Sequence, residues 1–370
     1  MRIMQFCTNF FHGGGIQRHV YDLSDWLVAH GHEVVFAGAA ERSTIDPERD
    51  DFIALPMNEV SHLGGNVFTR VMALLSAARK LRKALRTHPV DLIHAHETAP
   101  ALVARLATFG KNIPVVMTFH GSAPERFPQV AKTARFSADL VASPSQIVLD
   151  ALIALGVDAD KTSRFGLGIA PLRASAPETV EDLRRTYLDH EDGILVFSPS
   201  RLAPQKGIDV MIDVVRQVVA RHPQVRFVVA GGGILQDKVD SWAEAAGVAE
   251  NIRFIGSIDT VPEHLQAADI FLLTSRWEAL PISIVEAFRA GVPVIATDCG
   301  GVSELVDETV GALCPVEDVE ALAGAVITLA EDEVTRRDKG AAALARSHAD
   351  RFDPEAVHTH ILHTYEALLG

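Results

Sequence analysis

The sequence predicts an α/β protein of two doubly wound, parallel-sheet domains, and three observations carry that reading. The chain has 370 residues, 48% of them hydrophobic, enough for two domains that each bury a core. Short apolar runs alternate with amphipathic stretches, and the alternation runs twice. An Ala-, Ser- and Pro-rich segment, 171–177, separates the two runs. The domains are therefore expected at 1–170 and 171–350, with a helical tail at 351–370. Two sheets of this kind leave a cleft where the carboxyl ends of their strands face each other, and ligands bind there in such folds.

In the first domain, Ile3–Cys7 reads as a strand. Gln17–His30 reads as a helix with Val20, Leu23, Leu27 and Val28 on one face, and His32–Ala37 as a second strand. A long helix is expected over 67–88. Strands follow at Leu92–His94, Val115–Phe119 and Leu140–Ser143, with helices near Ala99–Ala107 and Ser145–Leu155. The second domain repeats the rhythm. Its strands are Ile194–Ser198, Arg226–Ala230, Arg253–Ile255, Ile270–Thr274 and Val294–Thr297. Its helices are Ile208–Arg221, Asp237–Ala246, Val261–Ala267, Ile282–Ala290 and Val319–Glu331.

Composition excludes several classes. Three scattered cysteines, Cys7, Cys299 and Cys314, form no C-x-x-C pair, which rules out a disulfide scaffold and a cysteine zinc site and suits a reducing compartment. The first residues lack the cleavage site of a signal peptide. The longest apolar run, Ala321–Ala330, is about half of what a bilayer span needs. A cytoplasmic protein is expected. The net charge of −14 argues against a nucleic-acid partner. That charge is lopsided: residues 1–170 hold 17 Lys and Arg against 16 Asp and Glu, leaving −15 on residues 171–370.

Three segments carry chemistry. Gly13-Gly14-Gly15 lies between the first strand and its helix; such glycines either bring backbone N–H groups close to a phosphate or sugar, or simply serve the turn. After the strand 194–198, Arg201 and Lys206 stand in a connection ahead of a helix. A forked guanidinium and a point-charge ammonium suit a diphosphate; the alternative is two solvated surface cations. After the strand 270–274, Glu278 and Glu286 lie eight apart around Leu280, Pro281, Ile282 and Ser283. Both carboxylates can accept from sugar hydroxyls, and the helix start offers N–H groups. Asp158-Ala159-Asp160 spells a metal-binding D-x-D but sits in a polar turn after Gly156, so no metal is expected. His94 and His96 end a strand; lining the cleft near an acceptor suits His96 better than a metal, with a core or surface histidine as the alternative. His19, and His358, His360 and His363 near the end, show no partner pattern. The helix 67–88 carries Arg70, Arg79, Lys80, Arg82, Lys83 and Arg86 with no acid between Glu59 and Asp91. It is either a core-packed helix with a solvated basic face or one that rests on an anionic membrane surface.

The ordered set of these segments resembles the retaining glycosyltransferases of the GT-B fold, family 4 type. The set runs Gly13–Gly15, Phe119-His120-Gly121, Arg201-x4-Lys206-Gly207, Gly231-Gly232-Gly233, Phe254-Ile255-Gly256, Glu278-x7-Glu286 and Cys299-Gly300-Gly301-Val302-Ser303-Glu304, and the resemblance spans nearly the whole chain. It implies that Arg201 and Lys206 hold the donor diphosphate, that Glu286 binds the ribose, and that Glu278 contacts the donor sugar beside the N–H groups of Leu280 to Ser283. It places His120 by the anomeric centre, Gly14 and Gly15 on sugar and phosphate, and Gly256 to Ile258 by the nucleobase. Ala279-Leu280-Pro281 stands where many members have Gly-Phe-Gly. The implied reaction is metal-independent, cofactor-free transfer of a hexose from a UDP- or GDP-linked sugar to an acceptor, a glycan or lipid-linked, as in envelope or exopolysaccharide assembly. The tail helix is implied to cross back onto the first domain. A nucleotide-sugar 2-epimerase of the same fold and a non-catalytic sugar-binding protein are the rival readings.

Overall fold

The computed structural model describes all residues except 11–14, 42–44, 47, 62–66 and 191–192. The chain divides into two compact units. One comprises Met1–Gly168 and Asp353–Gly370, the other Ile169–Phe352.

The first unit runs β1 (Arg2–Asn9), α1 (Gly15–Ala29), β2 (Glu33–Ala39), β3 (Phe52–Ala54), α2 (Met57–Ser61), α3 (Val67–Ala84) and β4 (Leu92–His96). It continues with α4 (Thr98–Thr108), β5 (Val115–Thr118), α5 (Phe127–Ser137), β6 (Leu140–Ser143), α6 (Gln146–Ala154) and β7 (Thr162–Arg164). The second unit begins with α7 (Pro177–Tyr187), β8 (Leu195–Pro199), α8 (Ile208–Arg221), β9 (Arg226–Ala230), α9 (Gln236–Ala245) and β10 (Ile252–Phe254). Then come α10 (Val261–Ala267), β11 (Ile270–Leu273), α11 (Ile282–Arg289), β12 (Val294–Thr297), β13 (Gly311–Cys314), α12 (Val319–Glu331) and α13 (Glu333–Arg346). The last helix, α14 (Pro354–Leu369), belongs to the first unit.

Both sheets are parallel throughout. Their strand orders are β3-β2-β1-β4-β5-β6-β7 and β10-β9-β8-β11-β12-β13. Each sheet reverses its winding direction once, between β1 and β4 in the first and between β8 and β11 in the second. The crevice outside the strand ends at such a reversal is where this architecture binds ligands. The strands are nearly continuous buried apolar runs, such as Ile270–Leu273, because helices cover both faces.

The basic helix is shorter than the charge pattern predicts. It ends at Ala84, and the Thr87 hydroxyl and the His88 N–H both bond the Ala84 carbonyl just before Pro89. Its first turns expose Phe68, Val71 and Met72, at 69%, 47% and 47%. Arg82 donates to the carbonyls of Ala107 and Phe109 at the end of α4. Among the described residues, no helix is long and apolar enough to cross a membrane.

Helix α14 completes the first unit's core. Val357, Ile361 and Tyr365 are buried among Ile3, Val20, Leu23, Leu92 and Phe165, and the Tyr365 hydroxyl lies 2.6 Å from His94 Nδ1. Asp353 caps the helix by accepting from the Ala356 N–H. Replacing Ile361 by Ala removes a fully buried side chain and is expected to cost about 2–5 kcal/mol. Hydrogen exchange should quicken at β1 and β4 and stay unchanged at β8 and β11.

Candidate functional site

In the second unit the site residues gather at the carboxyl ends of β8 and β11, the two strands at the reversal. Beyond β8 the chain bonds to the loop after β9: the Ser200 N–H donates to Ala230 O and the Leu202 N–H to Gly232 O. A Cβ on Gly231 would stand 2.2 Å from Ser200 O, so only glycine lets the strands' extensions lie this close. The Gly231 N–H donates to Gly256 O at 2.8 Å. That brings the half-buried Gly256 and Ile258, read as nucleobase neighbours, next to the same glycines.

Arg201 is exposed and donates to Gln205 Oε1 at 2.9 Å. A short 3₁₀ turn, Pro204–Lys206, leads through Gly207 into α8. Lys206 donates to Glu278 Oε1 at 2.5 Å, with side chains only 13% and 9% exposed. The Ser275 hydroxyl donates to the same oxygen at 2.7 Å. The two charges thus hold each other in partial burial, where an ion pair is screened far less than at the surface.

The loops bearing these charges are locked together. The Thr274 hydroxyl donates to the carbonyls of Lys206 and Gly207. Arg276 donates from its backbone to Gln205 O, and from its guanidinium to Pro204 O, both oxygens of Asp209, and Glu317. Gln205 Nε2 returns a bond to Trp277 O. Below the Glu278 loop, a Cβ on Gly300 would lie 1.8 Å from Glu278 O, and the Gly301 N–H donates to Ala279 O. The Cys299 thiol is buried there, and burial pushes its pKa up to about 12, which makes it inert as a nucleophile.

Helix α11 begins at Ile282, where the sequence places its start, and Pro281 is the residue before it. Proline has no N–H, so the donors of this stretch reduce to Leu280, Ile282 and Ser283. The side chains of Leu280 and Pro281 are buried, while Ile282 and Ser283 are half-buried. Glu286 lies in the second turn, also half-buried.

In the first unit, Gly14 lies outside the described residues and Gly15 opens α1. His96 is buried, with both ring nitrogens engaged, to Gln5 Oε1 at 2.9 Å and to His120 Nε2 at 3.1 Å. His94 is bound on both sides by Thr118 and Tyr365. His19 on α1 stands 6.3–6.5 Å, ring to ring, from His96, His120 and His358. Four elements thus bring five imidazoles together, a grouping invisible in the sequence. Glu97, directly after β4, accepts the His120 backbone N–H at 2.9 Å. Glu97, Ser275 and Arg276 are the functional candidates the motifs did not mark. Asp158 caps a short turn by accepting from the Asp160 N–H, and both are exposed. Among the described residues, no three His, Cys, Asp or Glu side chains could hold a metal ion together.

Burial holds these imidazoles neutral. It lowers His19 to about 4 and His120 to about 3, with repulsion from His358 and His19 adding respectively, and His358 to about 4. Burial raises Glu97 to about 7, opposed by the bond from His120. A histidine lowered from 6.5 binds fewer protons folded than unfolded, so its stabilising contribution is complete above pH 6.5 and lost as pH falls towards 4, on the order of 3 kcal/mol for His19 alone. Glu97 runs the opposite way, costing stability as pH rises from 4.5 to 7. With several imidazoles against one carboxyl, the first unit's unfolding midpoint should drop steeply between pH 6.5 and 4, as thermal unfolding across a buffer series would read.

The profile of glycosyltransferase family 4 matches residues 13–171, and that of glycosyl transferases group 1 matches residues 179–346. The chain is 28% identical over 386 residues to the phosphatidyl-myo-inositol mannosyltransferase of Mycolicibacterium smegmatis, covering 100% of this chain and 95% of that protein. Anabaena Alr3699/HepE in complex with UDP-glucose superposes with a TM-score of 0.82 at 24% identity, over 99% of each chain. Sucrose-phosphate synthase of Thermosynechococcus elongatus gives 0.83 at 20%, over 100% of this chain and 99% of that one. These structures share the GT-B arrangement of two Rossmann-like domains. With both halves matched in order and charged residues gathered at a sheet reversal, the chain belongs to the glycosyltransferases of group 1, family 4 type.

Proposed function

We propose that the protein is a retaining hexosyltransferase that uses a UDP- or GDP-linked sugar and delivers the hexose to a hydroxyl of a lipid-linked or envelope glycan. The observation that carries this reading is the Lys206–Glu278 pair at the end of β8 and β11, with Arg201 bonded to Gln205, which in turn donates to the carbonyl of Trp277 next to Glu278. Lys206 has further N–H donors beyond the one given to Glu278, and these meet the diphosphate. Glu278 Oε2 is left to accept from a sugar hydroxyl. Glu286 takes the ribose hydroxyls, and the Leu280, Ile282 and Ser283 N–H groups lie on the sugar side. Gly256 and Ile258 take the base. The first unit takes the acceptor, with His120 as its sugar-facing residue and His96 behind it.

In the transfer, the bond from the anomeric carbon to the phosphate oxygen breaks and one to the acceptor oxygen forms on the same face. The leaving diphosphate takes the electron pair and then the acceptor's proton. Negative charge grows on the diphosphate, and two cations preset near it stabilise that growth without reorganisation. No resident metal or cofactor is needed in this scheme. The relatives act on different acceptors: one is a phosphatidyl-myo-inositol mannosyltransferase and another a sucrose-phosphate synthase. A panel of UDP-, GDP- and ADP-sugars with product detection tests the reading. A glycosylated product supports it, while an epimerised sugar or a bound but unchanged donor refutes it. Lys206→Ala and Glu278→Ala should each lower kcat by about 10²–10³-fold; rates near wild type would sink the assignment.

The acceptor side of the proposal includes an anionic membrane surface. On α3, exposed Phe68, Val71 and Met72 share a helix with exposed Arg70, Arg79, Lys80 and Lys83. Such a helix lies flat at a headgroup layer, each basic residue contributing about 1 kcal/mol. The protein should pellet with phosphatidylglycerol vesicles at low salt and leave them at high salt. Reversing Lys80 and Lys83 to Glu should weaken binding at least tenfold, and an absence of low-salt binding contradicts the proposal.

A further inference from the structure

Glu97 is held in a backbone conformation that a glutamate does not adopt by preference. It has φ 83° and ψ 169°, a region essentially reserved for glycine, where a side chain is kept only at a cost. Its position before α4 offers one ordinary reason for an acidic residue, helix capping, but its side chain makes no capping bond. The carboxyl turns instead to the neighbouring strand end. Its Oε1 accepts the His120 N–H at 2.9 Å, while its own N–H donates to Thr118 O at 2.9 Å. His120 needs such a partner. It lies two residues beyond the end of β5, after Phe119, and precedes Gly121, whose φ of 101° turns the chain away from the sheet. From the other side, His96 Nδ1 lies 3.1 Å from His120 Nε2. One group therefore fixes the backbone of His120 and another fixes its ring.

We propose that Glu97 is a positioning residue for transfer: its carboxyl pins the His120 backbone, and the glycine-like backbone is retained to aim that carboxyl across from β4 to β5. The role of His120 rests on the transfer reading above, whereas the pinning itself does not. The desolvated carboxyl accepts in either protonation state, so the bond survives near neutrality.

Three variants separate the side chain from the backbone. Glu97→Gln keeps an acceptor oxygen, Glu97→Ala removes it but keeps the unfavourable backbone, and Glu97→Gly removes both. Glycine normally destabilises relative to alanine, so a higher melting midpoint for Glu97→Gly than for Glu97→Ala is the mark of the backbone cost. The Gln variant should keep kcat within about threefold of wild type. The Ala and Gly variants should lose about 10- to 100-fold in kcat with donor KM within about twofold. Amide exchange at His120, followed in the full-length protein, should quicken at least tenfold in Ala and Gly and stay slow in Gln. A Gly variant with wild-type kcat, or one melting below the Ala variant, overturns the proposal, as does unchanged exchange at His120. If the wild type transfers no sugar while the exchange pattern holds, the transfer reading fails and the pinning stands.

Discussion

A parallel strand can join its neighbour only through a crossover, which leaves from the strand's carboxyl end and carries the chain back to the amino side of the sheet. Each sheet of this protein therefore delivers every strand's carboxyl end to one side. Where the winding reverses, two adjacent connections depart in opposite directions and leave room between them. The connections leaving β8 and β11 bring Lys206 to Glu278, 72 residues away in sequence. Beside the first sheet's reversal, the connections leaving β4 and β5 bring Glu97 to His120. Glycines make the approach close enough. Gly207, at φ 59°, takes a place where a Cβ would meet Thr274 O at 2.2 Å, so the loop of one strand rests directly on the end of the next.

The two units solve opposite electrostatic problems at these places. The second is strongly acidic and yet holds cations in place at the sheet reversal. It does so by pairing Lys206 with Glu278 and by bonding Arg276 to Asp209 and Glu317, which drives that guanidinium's pKa further up. Acidity outside the site is tolerated because water and salt screen exposed charges within about 10 Å. The first unit is nearly neutral and packs imidazoles where a formal charge would be costly. Burial keeps them uncharged, as donors and acceptors of hydrogen bonds.

What the sequence made legible follows from what a one-dimensional pattern can carry. Strands β1, β8, β9, β11 and β12 are buried apolar runs and stand out. The strands β3, β7 and β13 are three or four residues long and lie at or near sheet edges, with too few apolar residues to register. Helices α7 and α13 bury little, Tyr187 in one and Gly340 and Ala343 in the other, so neither shows an apolar stripe. The charged site residues were legible because each follows a recognisable strand. The support beneath them was not. Arg276 reaches Asp209 across 67 residues, and Glu97 is marked out by its backbone angle, its desolvation and the proximity of β5, none of which a sequence displays. The glycines of 13–14 fall outside the described residues, so that part of the reading keeps its status as an expectation.

Helix α14 gives the chain an order of events during its synthesis. The second unit is one unbroken stretch, Ile169–Phe352, and has all its core as soon as that stretch has left the ribosome. The first unit is made earlier but lacks Val357, Ile361 and Tyr365 until the last helix emerges. Domains usually fold in the order in which they are made. Here the nascent amino-terminal half must wait with part of its apolar surface uncovered while its successor folds, a window in which chaperones would find it.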